Sequence, residues 1–237
     1  MENLAAHLQD IRARIAAGCA RSGREPSTVE LLAVAKTQPA EAVSAAAELG
    51  LTLFGENRVQ EAKAKIGRCP GRLRWHMIGH LQSNKCRDAV SLFSMIESVD
   101  SLELAREINK WCEKFAETMP ILLEVNIAGE SSKFGYPPRR LLAELAEINA
   151  LPKIEIHGLM TVAPWSQSPE KVRPVFRGLR ELKLECEKIL GAPLPHLSMG
   201  MSGDFEVAIE EGATIIRLGS ALFGARPKRD PAQEPME

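Results

Sequence analysis

Lys36 ends an apolar run, and its amine has the potential for covalent chemistry. Residues 29–36 read VELLAVAK, and a turn-forming Pro follows at position 39. Charged side chains are rarely buried without a partner, so one interpretation is that Lys36 marks the exit of a strand into solvent. The other is that an apolar surrounding disfavours the ammonium form and makes a neutral amine available to attack an aldehyde.

Two short segments rich in Gly and Ser lie near the end of the chain. SMGMSGD (198–204) and LGSALFG (218–224) each follow an apolar run. Small residues let backbone N–H groups approach an anion closely, and barrel enzymes often bind phosphate at the loops after strands seven and eight. Each segment alone could be a tight turn that needs Gly, but the pair, with its hydroxyl groups, predicts a phosphate site.

An amine beside a phosphate site suggests a ligand that carries both an aldehyde or ketone and a phosphate. Pyridoxal 5′-phosphate (PLP) is one such ligand, and a ketose phosphate in a Schiff-base aldolase is another. Arg217 lies between Ile216 and Leu218, and its side chain could point into the pocket that holds such a ligand. A guanidinium only donates hydrogen bonds, so opposite a pyridine nitrogen it would keep the ring unprotonated and discourage carbanion chemistry. The alternatives are that Arg217 binds phosphate or pairs with a carboxylate.

His76 and His80 are four residues apart, the spacing at which two helical histidines share a metal ion. The residues before them have the pattern of a strand, however, Gly79 interrupts, and no third ligand is evident. We therefore expect no metal site.

The elements that must position these residues alternate between strands and helices. Eight short apolar runs are each followed by a polar turn and a helical stretch, and a further amphipathic helix is predicted at residues 2–20. The runs are 29–36, 51–57, 74–79, 95–100, 121–126, 154–161, 196–200 and 214–220. This alternation implies parallel strands, and eight units in 237 residues favour one closed (β/α)8 TIM barrel over an open doubly wound sheet. Residues 1–226 are predicted to form this domain, and 227–237 a solvated tail.

The composition excludes several classes of function. The net charge is −1 and aromatic residues make up 5%, which argues against a protein that grips nucleic acid or an anionic membrane. No stretch is long and apolar enough to cross a bilayer. The five cysteines are scattered without a C-x-x-C pair, as expected for reduced thiols in the cytoplasm.

Taken together and in order, the motifs of the chain resemble the pyridoxal-phosphate homeostasis protein family. The motifs are AVAKTQP, FGENRVQE, WHMIGHLQSNK, NIAGESSKFG, HGLMTVAP, LSMGMSGDFEVAI and RLGSALFG, and they extend from about residue 4 to 224. The resemblance implies a barrel like the N-terminal domain of alanine racemase, the type III fold of PLP-dependent proteins, with PLP held as a Schiff base on Lys36. It also implies a set of cofactor-binding residues: Asn57, Met160, Ser198, Met199, Ser202, Arg217, Gly219 and Ser220, with His76 and His80 as further candidates.

The resemblance implies a carrier or buffer of PLP in intracellular PLP and amino-acid homeostasis, without catalytic residues. Its partners would be PLP and PLP-dependent apo-enzymes, and a monomer is expected. The alternative is a racemase-like enzyme. Alanine racemase adds a second domain whose tyrosine acts on the opposite face of the cofactor, whereas the single tyrosine of this chain, Tyr136, lies in the loop that contains SSKFG. Without an acid or base on that opposite face, catalytic turnover should be poor while binding of the cofactor remains good.

Overall fold

The protein is a closed barrel of eight parallel strands in the order of the sequence, and each strand pairs with the next. The computed structural model describes residues 2–130 and 132–224, so the predicted tail at 227–237 lies outside the described residues. The strands are β1 (Glu30–Val34), β2 (Leu53–Glu56), β3 (Arg74–Met77), β4 (Met95–Val99), β5 (Met119–Glu124), β6 (Ile154–Met160), β7 (His196–Ser198) and β8 (Ile215–Leu218). All eight predicted strands are confirmed, and pairing of β1 with β8 excludes an open sheet.

Helices surround the barrel, as the alternating pattern predicts. They are α1 (Glu2–Arg21), α2 (Ala40–Glu48), α3 (Val59–Ile66), α4 (Cys86–Leu92), α5 (Leu102–Phe115), α6 (Pro138–Asn149), α7 (Arg173–Leu190), α8 (Phe205–Glu210) and α9 (Ser220–Phe223). Ser101 caps α5 by accepting a hydrogen bond from the backbone N–H of Leu104 at 3.2 Å. Among the described residues, no helix combines the length and apolar composition that crossing a membrane requires.

Two apolar layers hold the barrel together. A large core lies between the strands and the helices and includes the buried residues Ile11 and Phe54. A smaller cluster fills the barrel interior, with members Leu32, Val34, Leu53, Met95, Leu122, Met160 and Ile215. The extra helix α1 packs against α8, and Gly18 lies at this contact, where an added Cβ would stand 3.4 Å from the side chain of Ile209.

Candidate functional site

Lys36 lies just beyond β1, on the carboxyl-terminal side of the barrel. The strand itself ends at Val34, and Lys36 and Thr37 form a turn in which the N–H of Gln38 donates to the carbonyl of Ala35 at 2.9 Å. Thr37 has a φ of +65°, which a β-branched residue rarely adopts. The Lys36 side chain is half-buried and lines a cleft of about 420 Å³. The turn therefore places Lys36 on the wall of this cleft.

The two Gly- and Ser-rich segments form another wall of this cleft. Their lining residues are Met201, Ser202, Gly203, Asp204, Gly219 and Ser220. The backbone N–H of Ala221 donates to Ser202 Oγ at 3.1 Å and so joins the two loops. A Cβ on Gly203 would meet nothing within 4 Å, so the space above this residue is open. The structure brings the predicted phosphate loops and Lys36 to one cleft.

Gly200 is the glycine of this segment that the backbone requires. Its φ is +94°, and a Cβ would lie 2.6 Å from the Cβ of Ala208. Asp204 holds the turn that follows, because its Oδ1 accepts a hydrogen bond from the N–H of Met201 at 2.6 Å. Burial raises the pKa of Asp204, while the Met201 N–H and the charge of Arg217 oppose the rise.

Arg217 lies on β8 at the base of the cleft and is almost fully buried. One guanidinium nitrogen, Nη1, donates to Ser198 Oγ and the other, Nη2, to the carbonyl of Thr161, each at 2.7 Å. Burial lowers the pKa of Arg217, and the carboxylates of Glu97, Glu124 and Asp204 counteract this effect. The guanidinium is thus fixed in position by two acceptors.

Ser198 belongs to a polar network that crosses the barrel interior beneath the cleft. Its hydroxyl donates to Glu97 Oε2 at 2.5 Å, and Glu97 Oε1 lies 2.6 Å from His76 Nδ1. Burial alone would raise the pKa of Glu97, but hydrogen bonds and charge from His76, together with Arg217, bring it below the ordinary value. Ser198 Oγ is thus engaged by Glu97 and Arg217 and is not among the residues that line the cleft, and its predicted contact with the cofactor stays a prediction.

The two methionines of the predicted set lie in different layers. Met160 is fully buried in the barrel interior, within the same cluster as Val34, which lines the cleft. Met199 is also fully buried, but its side chain packs in the large core that the helices share. The Met199 side chain is not among the residues that line the cleft, and its predicted contact with the cofactor stays a prediction.

Asn57 and His80 line a second cleft of about 600 Å³ on the same side of the barrel. The Oδ1 atom of Asn57 is buried and has no hydrogen-bond partner among the described residues. His80 Nδ1 lies 3.1 Å from Asp100 Oδ2, and its ring stacks on Phe134 with centroids 3.8 Å apart. His76 and His80 thus have separate partners and do not share a site.

A buried ion pair lies behind the Lys36 turn, and the sequence analysis did not identify it. Lys65 Nζ donates to Glu56 Oε1 at 2.5 Å and to the carbonyl of Ala35 at 2.7 Å. Burial raises the pKa of Glu56 to about 7, although the hydrogen bond and the charge of Lys65 oppose the rise. A glutamate at the end of an apolar strand is the signal that could have indicated this pair.

Metal-ligating side chains do not cluster in the part of the chain that the structure describes. No group of three or more His, Cys, Asp or Glu side chains there could hold a metal ion. The functional groups that line the Lys36 cleft include the Lys36 amine, the hydroxyl groups of Ser202 and Ser220, the Asp204 carboxylate and the Arg217 guanidinium.

Solved structures share this architecture. PipY of Synechococcus elongatus with PLP bound superposes with a TM-score of 0.79 at 39% identity, covering 90% of this chain and 100% of PipY. PipY without PLP gives a TM-score of 0.85 at 37% identity, covering 93% and 100% of the two chains. Alanine racemase of Clostridium difficile has a TM-score of 0.75 at 16% identity over 96% of this chain and 58% of its own, a likeness of fold alone.

Sequence comparisons agree with the structural ones. Residues 6–227 match the family model of the alanine racemase N-terminal domain. The pyridoxal phosphate homeostasis protein of Aquifex aeolicus is 44% identical over 225 residues, which is 94% of this chain and 99% of the relative. That of Pseudomonas aeruginosa is 41% identical over 235 residues, 98% and 100% of the two chains. The chain belongs to the family of pyridoxal phosphate homeostasis proteins, built on the alanine racemase N-terminal fold.

Proposed function

We propose that this protein binds PLP reversibly at Lys36 and carries or buffers it in intracellular PLP and amino-acid homeostasis. The observation that carries the proposal is that the Lys36 amine and both Gly- and Ser-rich loops line one cleft. The names of the curated relatives and the PLP bound to PipY support the same ligand.

The residues present fit this ligand. The Ser202 hydroxyl and the backbone of Gly203, Gly219 and Ser220 would hold the phosphate in the open space between the two loops. Asn57, which stands just beyond β2 at the position equivalent to Lys36 beyond β1, would reach the ligand from the neighbouring cleft. When bound, PLP supplies an aldehyde that reacts reversibly with primary amines and a ring that can withdraw electrons.

Arg217 would face the ring nitrogen of the ligand. Its two hydrogen bonds, to Ser198 Oγ and the Thr161 carbonyl, fix the direction of the guanidinium. Because a guanidinium donates and never accepts, it holds a pyridine nitrogen in the unprotonated form. That form withdraws electrons weakly, so this chain favours binding over carbanion chemistry.

The position of Tyr136 supports a role that is not catalytic. This side chain is the single tyrosine of the sequence, is fully buried, and packs in the core between strands and helices. Burial, with the added charge of Glu144, raises its pKa well above the ordinary value. Tyr136 is therefore unsuited to be the second acid or base that a racemase needs.

The absorbance spectrum of the purified protein with PLP tests the proposal. We expect a visible band, and borohydride reduction should fix a pyridoxyl group to the peptide that contains Lys36. Lys36→Ala should abolish both signals, whereas Lys188→Ala, at an exposed position on α7, should keep them. A Lys36→Ala protein that still shows the band would overturn the proposal, and trapping of a sugar phosphate would favour the aldolase.

A racemase-like enzyme is the second candidate, and the shared fold with alanine racemase is what favours it. Interconversion of D- and L-amino acids, measured across a panel, separates the two. A kcat on the order of 1–10³ s⁻¹, the range of ordinary enzymes, would replace the carrier with the enzyme.

The carrier role implies partners and a compartment. We propose transfer of PLP to PLP-dependent apo-enzymes by a cytoplasmic monomer. All five cysteines are unpaired, which suits a reducing compartment. Light scattering of the purified protein measures its oligomeric state, and activation of an apo-enzyme by the loaded protein, compared with the same amount of PLP, measures transfer.

A further inference from the structure

Lys65 of α3 reaches the backbone of the Lys36 turn from the side of the surrounding helices. Its Nζ donates to the carbonyl of Ala35 at 2.7 Å. The same carbonyl accepts the N–H of Gln38 at 2.9 Å, the hydrogen bond that closes the turn. A carbonyl oxygen has two lone pairs, so these two donors occupy both. Lys65 is thus bound to the residue that immediately precedes Lys36.

The residue that follows Lys36 is held by the same helix. Glu61 Oε1 accepts a hydrogen bond from the backbone N–H of Thr37 at 2.5 Å and lies 3.2 Å from Lys65 Nζ. Glu61 and Lys65 are four residues apart on α3, the spacing at which two side chains on one helix face meet. One pair of side chains on α3 therefore contacts the peptide groups on both sides of Lys36.

Lys65 lies on the side of this backbone that faces away from the ligand. Its side chain is 7% exposed and is not among the residues that line the Lys36 cleft. Ala35 packs in the core between strands and helices, and neighbouring residues of an extended segment point to opposite sides. Any effect of Lys65 on a ligand in the cleft must therefore pass through the backbone of the turn.

Net stability does not account for a lysine buried at this position. Lys65 Nζ lies 2.5 Å from Oε1 of Glu56, which is fully buried. Removing two charges from water is costly, and apolar side chains of similar volume often serve stability as well or better. What an apolar pair cannot supply is a donor aimed at the Ala35 carbonyl. The contact that distinguishes Lys65 from an apolar residue is therefore the one that fixes the turn.

We propose that Lys65 is a positioning residue, which fixes the backbone of the turn and thereby sets the Lys36 amine for its bond to an aldehyde. The inference rests on the proposed function, because this bond joins the Lys36 nitrogen to the aldehyde carbon of PLP with loss of water. A nitrogen displaced by about 1 Å forms such a bond much less readily. The phosphate contacts proposed for the loops after β7 and β8 do not involve this turn.

A comparison of PLP with pyridoxine 5′-phosphate tests the inference. The second ligand keeps the ring and the phosphate but has an alcohol in place of the aldehyde. Calorimetric titration of the cofactor-free protein gives the Kd of each ligand, and the visible band reports the covalent bond. We expect Lys65→Met to raise the Kd for PLP about tenfold or more, the loss of a charge-assisted hydrogen bond, and to change that for pyridoxine 5′-phosphate less than about twofold.

A double variant separates position from stability. Lys65→Met/Glu56→Gln leaves no carboxylate buried without its cation, so its unfolding midpoint in urea should stay near that of the wild type. Its Kd for PLP should nevertheless remain raised. The matched control is Lys63→Met, which removes an exposed ammonium from the same helix and should leave both Kd values unchanged.

Two results would overturn the inference. One is a Kd for PLP in the double variant equal to that of the wild type, and the other is an equal loss of affinity for both ligands, which indicates a general distortion of the cleft. A wild-type protein without a visible band would instead refute the proposed function, on which the inference rests. Failure of the proposed function and failure of the positioning role are therefore distinguishable.

Discussion

The backbone N–H of Thr37 donates a hydrogen bond to Glu61 Oε1 at 2.5 Å, immediately beside Lys36. Thr37 holds a left-handed φ of +65°, a conformation that costs roughly 1–2 kcal/mol for a residue with a Cβ. The same carboxylate oxygen lies 3.2 Å from Lys65 Nζ, which also contacts the carbonyl of Ala35. A carboxylate and a buried ammonium therefore support a strained turn, and this turn contains the backbone from which the Lys36 side chain extends.

Loss of this contact should impair covalent loading of Lys36 more than it impairs folding. We expect Glu61→Ala to relax the turn and weaken PLP binding by about tenfold, the equivalent of the roughly 1–2 kcal/mol of strain that the contact offsets. Glu61→Gln keeps an oxygen acceptor for the Thr37 N–H and should retain most of the affinity. The measurement is a titration of the visible band with PLP.

Glycine at position 37 provides the rescue. Thr37→Gly adopts a positive φ without a steric penalty, so adding it to Glu61→Ala should recover part of the lost affinity. If the double variant bound PLP no better than Glu61→Ala alone, backbone strain at Thr37 would not be the reason for the loss.

Substitutions of Ser202 and Ser198 should differ in whether the loss of affinity depends on the phosphate of the ligand. Ser202 lines the cleft, so Ser202→Ala should lower the affinity for PLP by about tenfold or more and leave that for pyridoxal, which has no phosphate, unchanged. Ser198→Ala removes a donor from Glu97 and an acceptor from Arg217, and should weaken both ligands to a similar extent. Competition binding with the two ligands measures this, and a loss confined to PLP in Ser198→Ala would make Ser198 a phosphate contact after all.

Glu97 should be a major determinant of stability because it is a fully buried carboxylate within the network that holds Arg217. Glu97→Gln leaves a buried guanidinium with less opposing charge and should lower the free energy of unfolding by about 3 kcal/mol. Adding Arg217→Met should make the combined loss smaller than the sum of the two single losses by roughly 1–3 kcal/mol. Urea unfolding of the cofactor-free variants measures the coupling.

The control for the Glu97 and Arg217 substitutions is an ion pair on the exposed surface. Glu147 pairs with Arg106 at 3.0 Å, and both side chains are more than half exposed. Glu147→Gln should change the free energy of unfolding by less than about 1 kcal/mol. Strict additivity of the Glu97 and Arg217 substitutions would indicate that the interior network is not energetically connected.

The sequence predicted the strands well because each is a short apolar run that ends in polar residues. The bounds differ by one or two residues, most informatively at β1, which ends at Val34 because the Lys36–Thr37 turn begins there. Convergence of Lys36, Ser202 and Ser220 was also predictable, since the carboxyl ends of barrel strands meet at one face.

What the sequence did not reveal are the contacts between side chains far apart in the chain. Ser198 and Glu97 are 101 residues apart, and their hydrogen bond depends on which way each strand turns its side chains. The two-residue spacing of Met95 and Glu97 along β4 was a usable signal. Met95 lies in the barrel interior, and residues two apart on a strand share a face, so Glu97 is expected to point inward as well. The Thr37–Glu61 contact has no such signal, since it depends on a single loop conformation.

Glu124 should make the stability of the protein depend on pH. Burial raises its pKa to about 7, with Asp100 adding to the rise and Arg217 opposing it. In the unfolded chain the pKa returns to near its ordinary value, so between about pH 4.5 and pH 7 the folded protein keeps a proton that the unfolded chain has lost. The free energy of unfolding must therefore fall as pH rises through this window, by up to about 3 kcal/mol from this carboxyl.

Glu124→Gln should remove that part of the slope. Glu56, whose pKa is also raised to about 7 by burial, titrates in the same window, so the variant should keep a smaller slope of the same sign. Urea unfolding at pH 5 and pH 8 gives the two free energies for each protein, and Glu48→Gln, at an exposed carboxylate, is the matched control that should behave like the wild type. An equal change between the two pH values in wild type and Glu124→Gln would mean that the folded protein already holds Glu124 ionised at pH 5, with Arg217 outweighing the cost of burial.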